Sequence, residues 1–500
     1  MEVLQRTANR GSISDGGYNL DNSIMFTTEG TYADANSVFY DLIKQSEGWA
    51  ADADAGTNAR KCTVSAWIKR TKITNTSHYD RIFDYRAGGV AFDVYFDPAT
   101  DQLTMYDDNT SMSLKTNRAF RDTSAWYHIV VAVDQTQGTA ANRVNVYVNG
   151  VQETSFATED YGNQNVDLSA FRTESASVYV GGAGHEASAY FNGYISEYNF
   201  IDGAQLAPTE FGEFDDDTGI WIPKEFTGSY GTLGHYYNFT VSNDMGKDFS
   251  GNGNDCNNRG DGIANGAARQ ATDTPTNNFC TLNLQVSNYA NTGGAKDGGT
   301  FMNVSGVNAF NAYYGTQGFT KGKWYWESYI VSRSGSYGLT NEMGVHTMEN
   351  LILTDPYYAN AFKYSYYLNF HYGYTYAWDN GTKGSKNSED GFPDLGASSV
   401  GKWVGLAFNA DDGKATWYID GTQTGNANLD IYDLHDRLQE GVFGVPFFQV
   451  YDNDLKVNFG GFSSQTISSG NTDANGYGNF EYAVPSGYYS ICTKNLAEFG

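Results

Sequence analysis

A chain of 500 residues is too long for one hydrophobic core, so two or three domains are expected. The formal charge of −27 leaves no basic face to neutralise phosphates, which excludes nucleic-acid binding. With 57 Gly and 38 Tyr against only 8 Pro, the composition describes turn-rich, aromatic-rich β structure rather than helical bundles.

The opening stretch MEVLQRTANRGSISDGG has no apolar core of the signal-peptide kind, and no run is long enough to span a bilayer. Synthesis and folding in a cytosol, without membrane insertion, are therefore expected. Cys62, Cys256, Cys280 and Cys492 form no CxxC pair, and four free thiols without zinc are expected in a reducing compartment.

Residues 1–20 are polar and aperiodic and read as an N-terminal arm. The first domain is expected over 21–240. Its strands begin at Ser23–Phe26 and continue with Cys62–Arg70, where Cys62, Val64, Ala66 and Ile68 alternate onto one face. Short strands follow near Arg81–Tyr85, Ala91–Phe96, Leu103–Tyr106, Val178–Val180 and Tyr190–Phe200, separated by Asp/Gly/Asn turns. Residues 241–278 are Asn/Gly/Asp-rich and read as a linker. The second domain is expected over 279–500, with landmarks at Gly322–Glu327, Gly441–Val450 and Leu455–Phe459.

One block occurs twice. WYHIVVAVDQTQGTAANRVNVYVNG runs from Trp126 to Gly150, and WVGLAFNADDGKATWYIDG runs from Trp403 to Gly421. Each has a tryptophan, an apolar strand, a polar turn and an alternating strand closed by Asn-Gly or Asp-Gly, the dipeptides of a type I′ hairpin turn. Tyr147 and Tyr418 hold the same place in the two copies. Short strands at this spacing point to antiparallel sandwiches rather than βαβ units.

SAWIKR (Ser65–Arg70), WYHIVVAVD, VYVNG and YFNGYISEYNFIDG (Tyr190–Gly203) resemble a laminin-G-like jelly roll of the concanavalin A-like lectin/glucanase superfamily. GKWYWE, the second block and VNFG (Val457–Gly460) resemble a SPRY-type domain, another sandwich of that superfamily. The whole arrangement is similar to virion structural proteins of tailed phages, marine ones especially. It shares with them an FGEFDDDTGIW segment (Phe211–Trp221), an SGNGND segment (Ser250–Asp255), a TPTNNFxTLN segment (Thr274–Asn283) and a PSGxxxxCTxNL segment (Pro485–Leu496). The Tyr-dense stretch of the second half has no counterpart in that pattern. The resemblance implies an all-β fold of two tandem concanavalin A-like jelly rolls joined by the Asn/Gly-rich linker. It implies a virion component assembled in host cytoplasm, and the reading adopted on it is a non-enzymatic protein displayed on the particle surface. Other virion proteins and further copies of itself would be its partners, and host-surface polysaccharide its ligand. A tail fibre or receptor-binding appendage is the first reading, capsid or tail decoration the second, and a glycan hydrolase the third.

Candidate chemistry is sparse. A retaining glycosidase needs two carboxylates about 5–5.5 Å apart, and the ExDxxE pattern is absent. Asp93 and Asp97, the nearest acidic pair along one strand, would stand more than ~13 Å apart at about 3.3 Å per residue. His128, in an apolar strand, reads as a satisfied core residue. No cofactor is required. Laminin-G-like jelly rolls often hold calcium, and Asp107 with Asp108, Asp215 with Asp216 and Asp217, and Asp452 with Asp454 carry suitable oxygens, although Asp equally dominates ordinary turns. The aromatic candidates are Tyr364, Tyr366, Tyr367, Tyr372, Tyr374, Tyr376 and Trp378, with Asp379 and Asn380 beside them. Tyrosine gives large contact area at low entropic cost, so these rings suit a subunit interface, a sugar site or the sandwich core.

Overall fold

The computed structural model describes the chain apart from residues 1–16, 27–40, 46–57, 74–78, 88–89, 170–176, 183–190, 260–269, 284–294, 305–309, 333–340, 351–363, 371, 380–381, 384–390, 394 and 396–398. It forms two compact units, Ser14–Thr276 and Asn277–Gly500. Each is a pair of antiparallel sheets around its own apolar core. No helix of the described residues is long and apolar enough to cross a membrane.

In the first unit one sheet runs in the order Val151–Gln152, Val144–Val148, Tyr127–Asp134, Lys61–Arg70, Gly193–Asp202, Ser23–Phe26, Gln270–Ala271, with His235–Tyr237 also paired to Gly193–Asp202. The other runs Phe156–Tyr161, Met112–Ala119, Gln102–Asp107, Val90–Phe96, Asp80–Ala87, Ser177–Val180, Asp41–Gln45, Asn257–Arg259. Alternation decides what lies between them. Cys62, Val64, Ala66 and Ile68 meet Phe83, Tyr85, Phe92, Val94, Leu103 and Met105 in one buried cluster. None of the four cysteines is in a disulfide, and all four are buried.

The second unit repeats the plan. One sheet is built on Phe310–Gly315, Gly444–Tyr451, Asn341–Thr347, Ser365–Asn369 and Tyr374–Asp379. The other is built on Asp454–Asn458, Lys323–Ile330, Trp403–Asn409 and Lys414–Ile419. Trp324, Trp326 and Trp417 fill the space between the sheets with Tyr313, Tyr366, Leu406 and Phe448.

The doubled block is the same device in both units. Asn149 and Gly150 take φ of 49° and 77°, and Asp420 and Gly421 take 47° and 73°, as a type I′ turn requires. The turn residue also closes back on the first strand of its block. Asn149 Oδ1 accepts from His128 N at 2.7 Å, and Asp420 Oδ1 accepts from Trp403 N at 3.0 Å. A later aromatic ring is seated on each turn glycine. A Cβ at Gly150 would fall 2.3 Å from Trp221, and one at Gly421 would fall 2.3 Å from Tyr482. Glycine is needed there for space as well as for its positive φ.

Several elements differ from the sequence reading. The described residues of 241–276 pack as part of the first unit. Met245 and Cys256 enter the first core, and Gln270–Ala271 pairs with Ser23–Phe26. Asp273 is buried, accepting from Lys69 Nζ at 2.7 Å and Trp126 Nε1 at 3.0 Å. The strands Met112–Ala119 and Phe156–Tyr161 and the helices Asp433–Gln439 and Thr493–Phe499 are additions. Of the proposed arm, 1–16 lie outside the described residues. Leu20 N donates to Thr276 Oγ1 at 3.1 Å, so the rest of the arm belongs to the first unit's body.

The first unit also encloses a cation that the sequence did not reveal. Arg70 is 1% exposed, with Nη2 2.7 Å from Asp80, Nη1 3.1 Å from Asp101, and its guanidinium 4.4 Å from the Phe96 ring centroid. Removing one member of such a cluster strands the others without solvent. Arg70→Met is expected to lower unfolding stability by about 3–5 kcal/mol, read from urea denaturation of the first unit's transition.

Candidate functional site

The tyrosine segment divides between the two faces of one sheet. Tyr366 points into the core, its ring 6.5 Å from that of Trp417, and Tyr364 packs against the same cluster beneath the Arg437 guanidinium at 5.0 Å. Tyr367, Tyr376 and Trp378 lie on the opposite face with Tyr314 and Phe447. There Tyr367 stacks on Tyr376 at 5.3 Å, and its hydroxyl accepts from Trp378 Nε1 at 3.1 Å. Register explains the layer. Tyr314 pairs with Phe447, Phe447 with Gly344, Gly344 with Tyr367 and Tyr367 with Tyr376, so one row of rings crosses the sheet. Gly344 admits it, because a Cβ there would fall 2.6 Å from that of Tyr367.

Little of this layer is open. Tyr367 and Tyr376 are buried, as is Trp378, whereas Tyr372 is 37% exposed and stacks on half-buried Tyr374 at 5.9 Å. Asp379 is exposed, and Asn380 lies outside the described residues. The eight described candidates therefore do not form one surface. Packing claims most of the rings, leaving Tyr372, Tyr374 and Asp379 toward solvent.

The acidic candidates serve their own turns. Asp107 accepts from Thr110 N and Ser169 N, both at 2.8 Å, while burial raises its carboxyl above the usual range. Asp108 accepts from Ala91 N and from the Tyr106 hydroxyl. Asp215 caps its turn through Thr218, whose hydroxyl and amide hold the carboxyl below its ordinary value. Asp216 and Asp217 are exposed. Asp452 takes a positive φ at its turn, and Asp454 accepts from Val304 N at 2.8 Å. Among the described residues no three His, Cys, Asp or Glu side chains converge as a metal-holding group.

His128 is satisfied, but on the outer face of its sheet rather than between the sheets. It stacks on Trp67 at 4.7 Å; Nδ1 accepts from Trp221 Nε1 at 2.9 Å, leaving Nε2–H to donate to Ser65 Oγ at 2.8 Å. Burial pushes its pKa down to about 3. Glu327 is equally committed. Its carboxylate accepts from Glu481 N, Tyr482 N and the Tyr325 hydroxyl at 3.0 Å each and from Asn458 Nδ2 at 3.3 Å. Burial pushes its carboxyl up to about 7 while those donors pull it down. Neither group is available to a reacting molecule.

A closer carboxylate pair than Asp93 and Asp97 exists, and it lies across strands. Asp84 and Asp93 are register partners on Asp80–Ala87 and Val90–Phe96. Arg81 reaches both, with Nη1 3.4 Å from Asp84 Oδ2 and Nη2 3.5 Å from Asp93 Oδ2. Burial pushes the Asp93 carboxyl up to about 7 against the pull of Arg81. Spacing along one strand could not reveal this pair, since cross-strand partners sit about 4.5–5.5 Å apart only once register is known.

Residues 45–209 match the profile of Laminin_G_3, described as the concanavalin A-like lectin/glucanases superfamily. No curated protein matches the chain. Among solved structures, it is similar to a putative carbohydrate binding protein from Bacteroides ovatus ATCC 8483 at 16% identity, with 49% of this chain and 59% of that one covered and a TM-score of 0.32. It is similar to domains LG4-5 of mouse laminin alpha1 chain at 10% identity, over 95% of this chain and 88% of that one, TM-score 0.27. It is also similar to the SPRY domain of human HERC1 at 12% identity, over 35% of this chain and 96% of that one, TM-score 0.25. The fold is all-β, of the concanavalin A-like jelly-roll type, and its laminin-G-like part is lectin-type in architecture.

Two substitutions separate packing from surface among the tyrosines. Tyr366→Ala is expected to cost about 3–5 kcal/mol, as truncation of a buried aromatic does, whereas Tyr372→Ala should stay within about 0.5 kcal/mol; denaturant unfolding reads both. His128 supplies a pH test. Its folded pKa lies below the ordinary 6.5, so its contribution is complete above pH 6.5 and is lost as pH falls toward 3. Wild type should lose ~1.4 kcal/mol more per pH unit across that window than His128→Gln, measured by unfolding at stepped pH.

Proposed function

We propose that this chain is a non-enzymatic structural protein of a tailed-phage virion, displayed on the particle, whose sandwiches recognise host-surface glycans. One observation carries the recognition half. The outer face of the first unit's second sheet presents Tyr79 and Tyr106, 40% and 38% exposed, above a floor of buried charged and hydroxyl groups. Exposed rings able to stack on sugar C–H faces are a recurrent element of carbohydrate recognition. The match of 45–209 to a lectin/glucanase superfamily supports the same reading. The virion half rests on the sequence resemblance and on the acidic charge of −27.

The carboxylates support binding over hydrolysis. Asp84 and Asp93 are tied to one guanidinium, and Glu327 is tied to backbone amides. Capsid or tail decoration through protein contacts is the competing reading, favoured by exposed apolar side chains such as Phe214 and Val151.

Purified full chain is expected to bind host envelope polysaccharide on a glycan array and to block adsorption of the phage. Absence of binding, with ordered multicopy density on the capsid, would establish decoration instead. Shortened polysaccharide after long incubation would replace the non-enzymatic reading.

A further inference from the structure

Among the described residues Lys69 is the only buried lysine, at 0% exposure. Its neighbour Ile68 enters the core, so alternation sets Lys69 on the outer face of Lys61–Arg70, beside its register partner Tyr194. A lysine on such a face ordinarily keeps its ammonium in water. Here a cover closes over it instead. Trp126 lies 6.3 Å from the Tyr194 ring, and the chain returns at Asp273, whose side chain is 1% exposed. Lys69 Nζ stands 2.7 Å from Asp273 Oδ2 and 5.7 Å from the Tyr194 ring centroid. Trp126 Nε1 donates to Asp273 Oδ1 at 3.0 Å, and Ser23 Oγ holds the Asp273 carbonyl at 2.6 Å.

These are the parts of a condensation. At that hydrogen-bond length the amine nitrogen lies about 3.5 Å from the carboxyl carbon, close to a near-attack arrangement. The fold holds the two groups there and keeps out the water that would separate them; positioning of this kind is worth an effective molarity of about 10⁵–10⁸ M. The carboxyl oxygens have different surroundings. Oδ2 touches the ammonium and can take its protons, while Oδ1 receives the indole N–H, a donor placed where negative charge develops on attack. Burial favours the product as well, since an ion pair forfeits the solvation of both charges and an amide carries none. Neighbouring Arg70, paired with Asp80 and Asp101, cannot follow, because a guanidinium keeps its proton and is no nucleophile.

We propose that Lys69 and Asp273 join in an isopeptide bond, formed by the folded chain without any other reactant. The ammonium passes a proton to Oδ2, the freed amine attacks Cγ, and the Cγ–Oδ2 bond breaks as the nitrogen gives up a second proton. One C–N bond forms, one C–O bond breaks, one water leaves and both charges vanish; nothing is oxidised or reduced. Trp126 is catalytic in this step, since its indole N–H touches the reacting carboxyl. The link bridges 204 residues of sequence and ties the stretch after Gln270–Ala271 to the middle strand of its sheet.

Denatured full chain, measured by mass spectrometry, is expected to fall short of its sequence mass by one water. Proteolysis is expected to release one branched peptide that holds both Lys69 and Asp273. Lys69→Met and Asp273→Ala should each restore the full mass. Trp126→Phe should slow the loss of water about 10²–10³-fold, followed after pulse synthesis of the chain. A cooperatively folded wild-type chain at full sequence mass overturns the proposal, and that result needs no variant to fold. Loss of water without the branched peptide overturns it too, because an Asp-Gly step such as Asp297-Gly298 can lose water by itself. If Trp126→Phe reacts as fast as wild type, the bond stands and the catalytic role of the indole falls.

Discussion

Each sandwich has one sheet whose outer face the chain itself covers, and a buried polar group on that face fastens the cover. In the first unit it is His128, held between Trp67 and Trp221 with both ring nitrogens engaged. In the second it is Glu327, which gathers the amides of Glu481 and Tyr482. The fastened segments then lay Trp221 on Gly150 and Tyr482 on Gly421. A polar group buried without partners costs about 1–3 kcal/mol, so each cover is specified by hydrogen bonds that only one docking satisfies. FGEFDDDTGIW and the C-terminal stretch can therefore lie far in sequence from the strands they protect.

Much of the fold was legible where local chemistry is decisive. Cys62–Arg70 alternates, and Asn149-Gly150 and Asp420-Gly421 can close only one kind of turn. Other elements were hidden for physical reasons. Phe156–Tyr161 is an edge strand with mostly exposed side chains, so it shows no apolar period. The stretch 241–276 has the composition of a linker, and its few anchors, Met245, Cys256 and Ala271, are too far apart to show periodicity. The tyrosine alternation said that rings share a face but not which face. Tyr366 went to the core and Tyr376 to the other side. The pairing of Asp84 with Asp93 depends on register, which no single strand encodes.

The first unit holds two buried arginines in different surroundings. Arg70 is enclosed by Asp80, Asp101 and the Phe120 carbonyl and reads as a structural tie. Arg81 is shared by two carboxylates that face away from the core, leaving Asp93 Oδ1 and Thr104 Oγ1 unmatched. Arg70 Nε is also buried without a hydrogen bond, so the two clusters differ in the face of the sheet they occupy rather than in completeness.

The second unit begins and ends at one seam. Cys280 N donates to the Ile491 carbonyl at 2.9 Å, Thr493 N to that of Asn278 at 2.9 Å, and Asn278 N to Thr493 Oγ1 at 3.0 Å. Its entry and exit strands are therefore bonded side by side, and a pull on them would load these few bonds one after another, as a zipper opens, while the sheets stayed unstrained. Force applied at its two ends would then be met by backbone hydrogen bonds of the seam before it reached the core.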